Sequence, residues 1–142
     1  MENTTCQIAE CIACFDTGRI RVEPLAGAMH SVLDWTGVTI AGAREPLVDI
    51  LVADALENGE SGICSLIGRP ETVAPATAAL INGAASHALD VDDVNRQLHG
   101  HPTVAVLPAV LTLAEQHQSS GRELLDAFIV GYQIACAVGE MV

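Results

Sequence analysis

The chain has 142 residues, a length that fits one domain and leaves no room for several independent modules. Half of the residues are apolar, but the aromatic ones are limited to two Phe, one Trp and one Tyr, so a core must be built from closely packed aliphatic side chains. The 18 acidic residues face 6 Arg and no Lys, and the net charge of −12 argues against binding of nucleic acid. The absence of Lys also excludes lysine-based catalysis by these residues.

A mean hydropathy of +0.38 is high for a globular domain. We attribute it to an apolar surface that further protein covers, and not to a membrane span, because the apolar run at residues 127–142 contains Gln133 and Glu140. Glu2 and Glu10 stand where a secretory leader has its basic and apolar regions. We therefore expect no contact with a membrane and a cytoplasmic location.

Apolar residues recur at helical spacing along most of the chain, and Pro, Gly and Ser separate the segments. Thr4 and Gln7 have the spacing of a capping box at the start of the first helix. The short run at 63–67 is predicted to be an isolated strand. The predicted helices lie at about residues 4–17, 24–42, 46–56, 75–89, 104–116 and 122–138.

The last predicted helix carries small residues at intervals of four, which lets another backbone approach it closely. These residues are Ala127, Gly131, Ala135 and Gly139. The sequence therefore predicts an all-α fold, a compact layer of five or six helices that forms a single helical domain over residues 1–142.

Cys6, Cys11 and Cys14 have the C-x4-C-x2-C spacing of a plant-type iron–sulfur site. The same residues follow a helical pattern, and the glycines expected of a cluster-binding loop are missing. We predict buried free thiols in place of a cluster, and no structural disulfide.

Titratable residues are densest after the Ala-rich fourth helix. Asn82, Ser86 and Asp90 are four residues apart and are predicted to share one helix face. This polar face leads into D-V-D-D at residues 90–93 and H-G-H-P at residues 99–102. Three carboxylates and two imidazoles thus fall within twelve residues.

Three interpretations of this segment stay open from the residues alone. Asp90, Asp92, Asp93, His99 and His101 are candidate ligands for a divalent metal. Alternatively, an imidazole beside a carboxylate is a general acid or base that needs no metal. The third interpretation is an ordinary exterior corner, in which the carboxylates cap a turn and the imidazoles are surface groups.

The segment resembles the MmgE/PrpD family, which contains 2-methylcitrate dehydratases, cis-aconitate decarboxylases and iminodisuccinate epimerases. The likeness extends to the opening helix and to S-G-R-E-L-L at residues 120–125 with Gly131 and Tyr132. The stretches that carry it most specifically read N-G-A-A-S-H-A-L-D-V-D-D at residues 82–93, G-H-P-T at 100–103 and V-L-P-A at 106–109.

The resemblance implies a site as well as a fold. Asp90 and His101 resemble the family's catalytic aspartate and histidine, and Asp93 belongs to the same motif, so these three are the expected catalytic residues. Four further polar residues of this region are expected to contact the substrate; they are Asn82, Ser86, His99 and Arg96. The family also implies a small polycarboxylate substrate, no metal or organic cofactor, and a homodimer.

Members of the family are several-fold longer, with a second helical segment and an α/β lid domain. We therefore expect this chain to be the N-terminal part of such a protein, without the lid and without a complete active site. The expected activity is that of a 2-methylcitrate dehydratase, a hydro-lyase, although Val94 stands where many members have Thr, and Thr103 stands where Ser is common. The alternatives are a non-catalytic helical module for self-association or partner binding and the Asp/His metal site.

Overall fold

The computed structural model describes residues 3–141 and contains six α-helices in this range. The all-α prediction is confirmed. A 3₁₀ turn at Thr17–Arg19 joins the first two helices, and a two-stranded ribbon lies between the third and the fourth. The elements are α1 (Thr4–Ala13), α2 (Val22–Gly42), α3 (Pro46–Glu57), β1 (Cys64–Ser65), β2 (Thr72–Val73), α4 (Pro75–His87), α5 (Pro102–His117) and α6 (Gly121–Gly139).

Helix α4 lies at the centre and packs against α2, α3 and α5, while α6 packs on α5 and α2. Small side chains on α4, such as Ala78 and Ala85, are fully buried, which allows three neighbours to surround one helix. One core cluster joins α3, the ribbon and α4 around Val48 and Ile81. A second joins α2, α5 and α6 around Trp35 and Phe128. The C-terminal end of α4 is thereby fixed from several sides.

The prediction that α6 lets another backbone approach closely is confirmed at Gly139, where a Cβ atom would lie 2.5 Å from the Cα of Leu98. Gly131 makes room for a side chain instead, because a Cβ atom there would lie 2.6 Å from Cγ1 of Val106 on α5. Both distances are shorter than a van der Waals contact, so a larger residue at either position forces its neighbour to move. The end of α6 therefore packs directly on the loop between α4 and α5.

Several element boundaries differ from the prediction for local reasons. The N-cap of α1 is Asn3 and not Thr4. Helix α4 ends at His87, two residues early, because Asp90 has a positive φ of 53° and leaves the right-handed helical region. The predicted strand is not isolated, because β1 pairs with β2 and Cys64 lies opposite Val73. Strand β2 has only two residues, too few for a recognisable sequence pattern.

The prediction of buried thiols is wrong for the first three cysteines. Helix α1 buries none of its residues, and Cys6, Cys11 and Cys14 are exposed free thiols. The other two cysteines, Cys64 and Cys136, are buried and free, and burial raises the pKa of both thiols.

The high mean hydropathy corresponds to apolar side chains that are exposed on the surface. Between Asn3 and Met141 no helix combines the length and the apolar character that crossing a membrane requires. Instead, large apolar side chains are exposed on α2 and α3; they include Met29, Leu33, Ile40, Leu47 and Ile50.

Candidate active site

The candidate site forms where α4 ends and the chain turns back on itself. The amide of Asp90 donates to the carbonyl of His87 at 3.0 Å, and Asp90 adopts a left-handed backbone conformation. Asp tolerates that conformation better than most residues because its short polar side chain makes local hydrogen bonds. The turn brings Asp92 back beside His87.

Asp92 is a buried carboxylate between two imidazoles. Its Oδ1 atom lies 2.9 Å from Nδ1 of His87, its Oδ2 atom lies 3.3 Å from Nδ1 of His101, and its side chain is only 2% exposed. The two imidazole rings are 4.7 Å apart between centroids, in an edge-to-face arrangement. Neither Oδ2 of Asp92 nor Nδ1 of His101 has a hydrogen-bonded partner among the described residues, so the two atoms face each other alone.

The two ring nitrogens of His101 have different surroundings. Nδ1 is buried and lies toward Oδ2 of Asp92, without the geometry of a hydrogen bond. Nε2 lies 3.7 Å from Oδ1 of Asp90, whose side chain is 79% exposed, while that of His101 is 27% exposed. Nε2 is thus on the open side of the site, next to a solvated carboxylate.

Asp93 holds the start of α5. Its two carboxylate oxygens accept from the amide of Thr103 at 3.3 Å and from its hydroxyl at 2.7 Å. His101 is the N-cap residue of α5 and makes no side-chain cap bond, so Asp93 supplies the acceptor that a capping side chain usually provides. The carboxylate of Asp93 is therefore committed to the backbone that carries His101.

Asn95 closes the loop before His101. Its Oδ1 atom accepts from the amides of Gln97 at 2.7 Å and Leu98 at 3.3 Å, and its backbone pairs with that of Gly100. Its Nδ2 group donates to the hydroxyl of Tyr132 on α6 at 3.2 Å. Burial raises the pKa of Tyr132, against the opposing effect of this hydrogen bond. Helix α6 thus anchors the loop that positions the imidazole.

The expected substrate-contacting residues do not form one group. Asn82 and Ser86 are buried, and their side chains bond to backbone: Asn82 to Ile67 and Ser65, Ser86 to Gly83. The helix ends before Asp90, so the predicted common face with this residue does not exist. His99 and Arg96 lie exposed on the loop and make no hydrogen bond or ion pair within residues 3–141, and their contact with a substrate stays a prediction.

Two residues of the site were not among the expected catalytic set, His87 and Asp92. His87 ends α4, and its contact with Asp92 depends on the turn at Asp90, which the sequence pattern does not specify. The metal interpretation changes accordingly. The side chains that bring one ligand atom each within 4.8 Å of one another are His87, Asp90, Asp92 and His101, while Asp93 faces Thr103 and His99 is not part of the group.

Comparison with known proteins shows the family to which this chain belongs. Residues 6–142 match the MmgE/PrpD N-terminal domain, so the chain belongs to the MmgE/PrpD family. The cis-aconitate decarboxylase of Aspergillus terreus (strain NIH 2624 / FGSC A1156) is 29% identical over 97% of this chain and 29% of its own length. The human cis-aconitate decarboxylase is 30% identical over 94% of this chain and 29% of its own. That of Mus musculus is 42% identical over 72% of this chain and 22% of its own. The chain therefore spans less than a third of these relatives.

Proposed function

We propose that this chain provides the acid–base part of a lyase site for small polycarboxylates, with His101 as the group that transfers the proton. The observation that carries the proposal is the position of His101 between two carboxylates: Nδ1 lies 3.3 Å from the buried Asp92, and Nε2 lies 3.7 Å from the exposed Asp90. An imidazole with a carboxylate beside one nitrogen and an accessible second nitrogen suits general acid–base catalysis. The proposal needs no metal or organic cofactor.

His101 suits both reactions that the family resemblance implies. In a decarboxylation, the bond between a carbon and its carboxylate breaks, carbon dioxide leaves, and the electron pair remains on the carbon skeleton until protonated Nε2 delivers a proton. In a dehydration, neutral Nε2 removes a C–H proton, the C–O bond breaks as the double bond forms, and a second acid of the site donates a proton to the hydroxyl, which leaves as water. Dehydration of 2-methylcitrate is the reaction expected from the sequence. The names of the relatives favour decarboxylation of cis-aconitate, so we place this substrate first.

Binding of a polyanion needs cations that this chain barely supplies. Arg69 pairs with Asp49 and Glu71, and Arg122 pairs with Asp126. Arg96 stands on the site loop with no ion pair inside the described range, and a net charge of −12 repels an anion. We infer that protein outside these residues adds further cations, and that this chain alone retains slow turnover with a high KM. A homodimer is also part of the proposal, but a second copy adds no Lys.

The test is a turnover assay of the purified chain in heavy water with cis-aconitate and with 2-methylcitrate, each with and without a chelator. Mass spectrometry then detects deuterium in a decarboxylated product. We expect His101→Gln to lower kcat by about 10²–10⁴-fold, whereas His117→Gln, at the exposed end of α5, leaves it unchanged. Loss of activity with the chelator supports the metal interpretation instead.

The exposed apolar residues of α2 and α3 favour a second candidate function, self-association without catalysis. Inactivity with every substrate, together with a stable dimer by light scattering, supports this candidate. In that case Leu33→Glu on α2 should give a monomer, whereas Asp34→Asn at the neighbouring exposed position should not.

A further inference from the structure

His87 has no role in the reaction proposed so far, yet its imidazole is in edge-to-face contact with that of His101. Its ring is 4.7 Å from that of His101 between centroids, and its side chain is 49% exposed. Its Nδ1 atom meets Asp92, so Nε2 is the ring nitrogen that remains for other partners. His87 and His101 therefore both turn Nδ1 toward the buried carboxylate, and of these two contacts the one of His87 has hydrogen-bond geometry.

We propose that His87 is a second proton-transfer residue of this site and that Asp92 is the positioning residue for both imidazoles. This inference rests on the proposed function. One carboxylate oxygen lies beside each ring, in a hydrogen bond with Nδ1 of His87 and 3.3 Å from Nδ1 of His101. Because a carboxylate only accepts hydrogen bonds, this placement favours the proton of each neutral imidazole on Nδ1 and the lone pair on Nε2.

Two adjacent imidazoles suit a particular class of reaction. In an elimination of water, a neutral imidazole removes the C–H proton while a neighbouring imidazolium protonates the departing hydroxyl. The C–H and C–O bonds break, the double bond forms, water leaves, and the pair of imidazoles retains the same number of protons. A decarboxylation needs only one proton donor. The pair His87–His101 thus adds dehydration of a hydroxylated polycarboxylate to the decarboxylation proposed above, because both imidazoles then transfer a proton in one turnover.

Nitrogen-15 NMR of the imidazoles tests the arrangement without any substrate, at a pH above the range in which an ordinary imidazole titrates. We expect both His87 and His101 to carry the proton on Nδ1, with the signals assigned by His87→Gln and His101→Gln. In Asp92→Asn the amide offers one acceptor and one donor, so one imidazole should change to the Nε2-protonated form. Asp34→Asn, on the exposed face of α2, should leave both signals unchanged.

Asp92→Asn needs a check of the fold by circular dichroism, and His87→Gln provides a second route because the side chain is half exposed. We expect His87→Gln to keep the Nδ1 proton of His101, since Asp92 is intact, and to lower kcat for dehydration of 2-methylcitrate at least tenfold with a smaller change of KM. Decarboxylation of cis-aconitate should lose less.

The possible results separate this inference from the proposed function. An Nε2-protonated His87 in the wild-type chain, or signals that do not respond to Asp92→Asn in a folded protein, overturns the shared role of Asp92. If His101→Gln is inactive but His87→Gln has wild-type kcat in dehydration, His87 is not a proton-transfer residue, while the proposed function stands. If the wild-type chain has no activity at all, both catalytic proposals fail, and the NMR result alone decides how Asp92 orients the rings.

Discussion

Thr103, in the first turn of α5, donates two hydrogen bonds to the carboxylate of Asp93 on the site loop, one from its hydroxyl at 2.7 Å and one from its amide at 3.3 Å. Thr103 is buried, so a lost partner is not replaced by water. We expect Asp93→Ala to lower the free energy of unfolding by about 1–2 kcal/mol, as for removal of a helix cap. Urea denaturation measures this change.

Substitutions at Thr103 separate the hydroxyl contact from the amide contact. Thr103→Ser keeps the oxygen and should retain most of the stability, whereas Thr103→Val removes it and leaves the Asp93 oxygen without that donor. A cycle of Asp93→Asn and Thr103→Val measures the coupling between the two side chains. Additive effects would contradict a direct interaction.

Gly139 has a similar positioning role from the opposite side of the loop. A Cβ atom there would meet the backbone of Leu98 and the carbonyl of Gln97, which lies 2.7 Å away, so Gly139→Ala must displace the loop or the end of α6. We expect a loss of about 1–3 kcal/mol in stability, as for an overpacked interface, and altered NMR signals of His101. The matched control is Gly37→Ala in the middle of α2, where a Cβ meets nothing and the change should stabilise the helix by up to about 1 kcal/mol. Equal stability of the two variants would contradict the close approach.

The helices could be predicted from the sequence because the signals that define a helix lie within the helix itself and at its two ends. Helices such as α2 and α6 have apolar residues at helical spacing along many turns, and Pro46 and Pro75 mark two helix starts. The sequence predicts only one of the two strands of the ribbon, because a strand of two residues is too short to show an alternation of apolar and polar side chains. Helix α1 shows that an apolar pattern does not by itself establish burial. Its pattern predicts a buried face that includes Cys11, but Cys11 is exposed in the structure.

The candidate site could be predicted only in part. The motif at residues 90–101 placed Asp90 and His101 in one region, and the structure brings them to 3.7 Å. Which carboxylate orients the imidazole depends on the left-handed backbone at Asp90 and on burial of Asp92, and neither is visible in residue spacing. Helical spacing likewise predicts a polar face at Asn82, but it does not show that this side chain bonds to the backbone of Ile67 and Ser65.

Tyr132 makes the stability of the protein sensitive to alkali. Burial raises the pKa of this phenol above its unfolded value of about 10. Between these two values the unfolded chain has lost the proton and the folded chain still holds it, so the free energy of unfolding falls as the pH rises through the folded value. Because Tyr132 is the single Tyr of the chain, its ultraviolet absorbance reports this titration directly.

Tyr132→Phe removes this contribution and also the hydrogen bond from Asn95. We expect a smaller loss of stability above about pH 10 than in the wild type, with the remaining slope due to Cys64 and Cys136, whose pKa values burial also raises. An unchanged slope would mean that the phenol titrates alike in the folded and unfolded states.

Ser120 and Glu123 form a complete capping box at the start of α6, in which the hydroxyl of Ser120 accepts from the amide of Glu123 and the carboxylate of Glu123 accepts from the amide of Ser120 at 2.7 Å. We expect Ser120→Ala to cost about 1 kcal/mol in stability. The hydrogen bonds from Ser120 lower the pKa of Glu123, so its contribution is present above the unfolded pKa and disappears as the pH falls through the lower folded value. The difference between Ser120→Ala and wild type should therefore be larger at neutral pH than in acid.

Substitution of Asn82 tests whether this polar residue of α4 has a structural role or binds the substrate. Its amide accepts from the amide of Ile67 and donates to the carbonyl of Ser65, both at 2.9 Å, and it is buried. Asn82→Ala leaves two backbone groups without their partner, so we expect a loss of about 1–3 kcal/mol in stability. Arg96→Gln, on the exposed loop, should instead raise KM for an anionic substrate and leave the urea midpoint unchanged. A raised KM in Asn82→Ala with unaltered stability would assign Asn82 to the substrate after all.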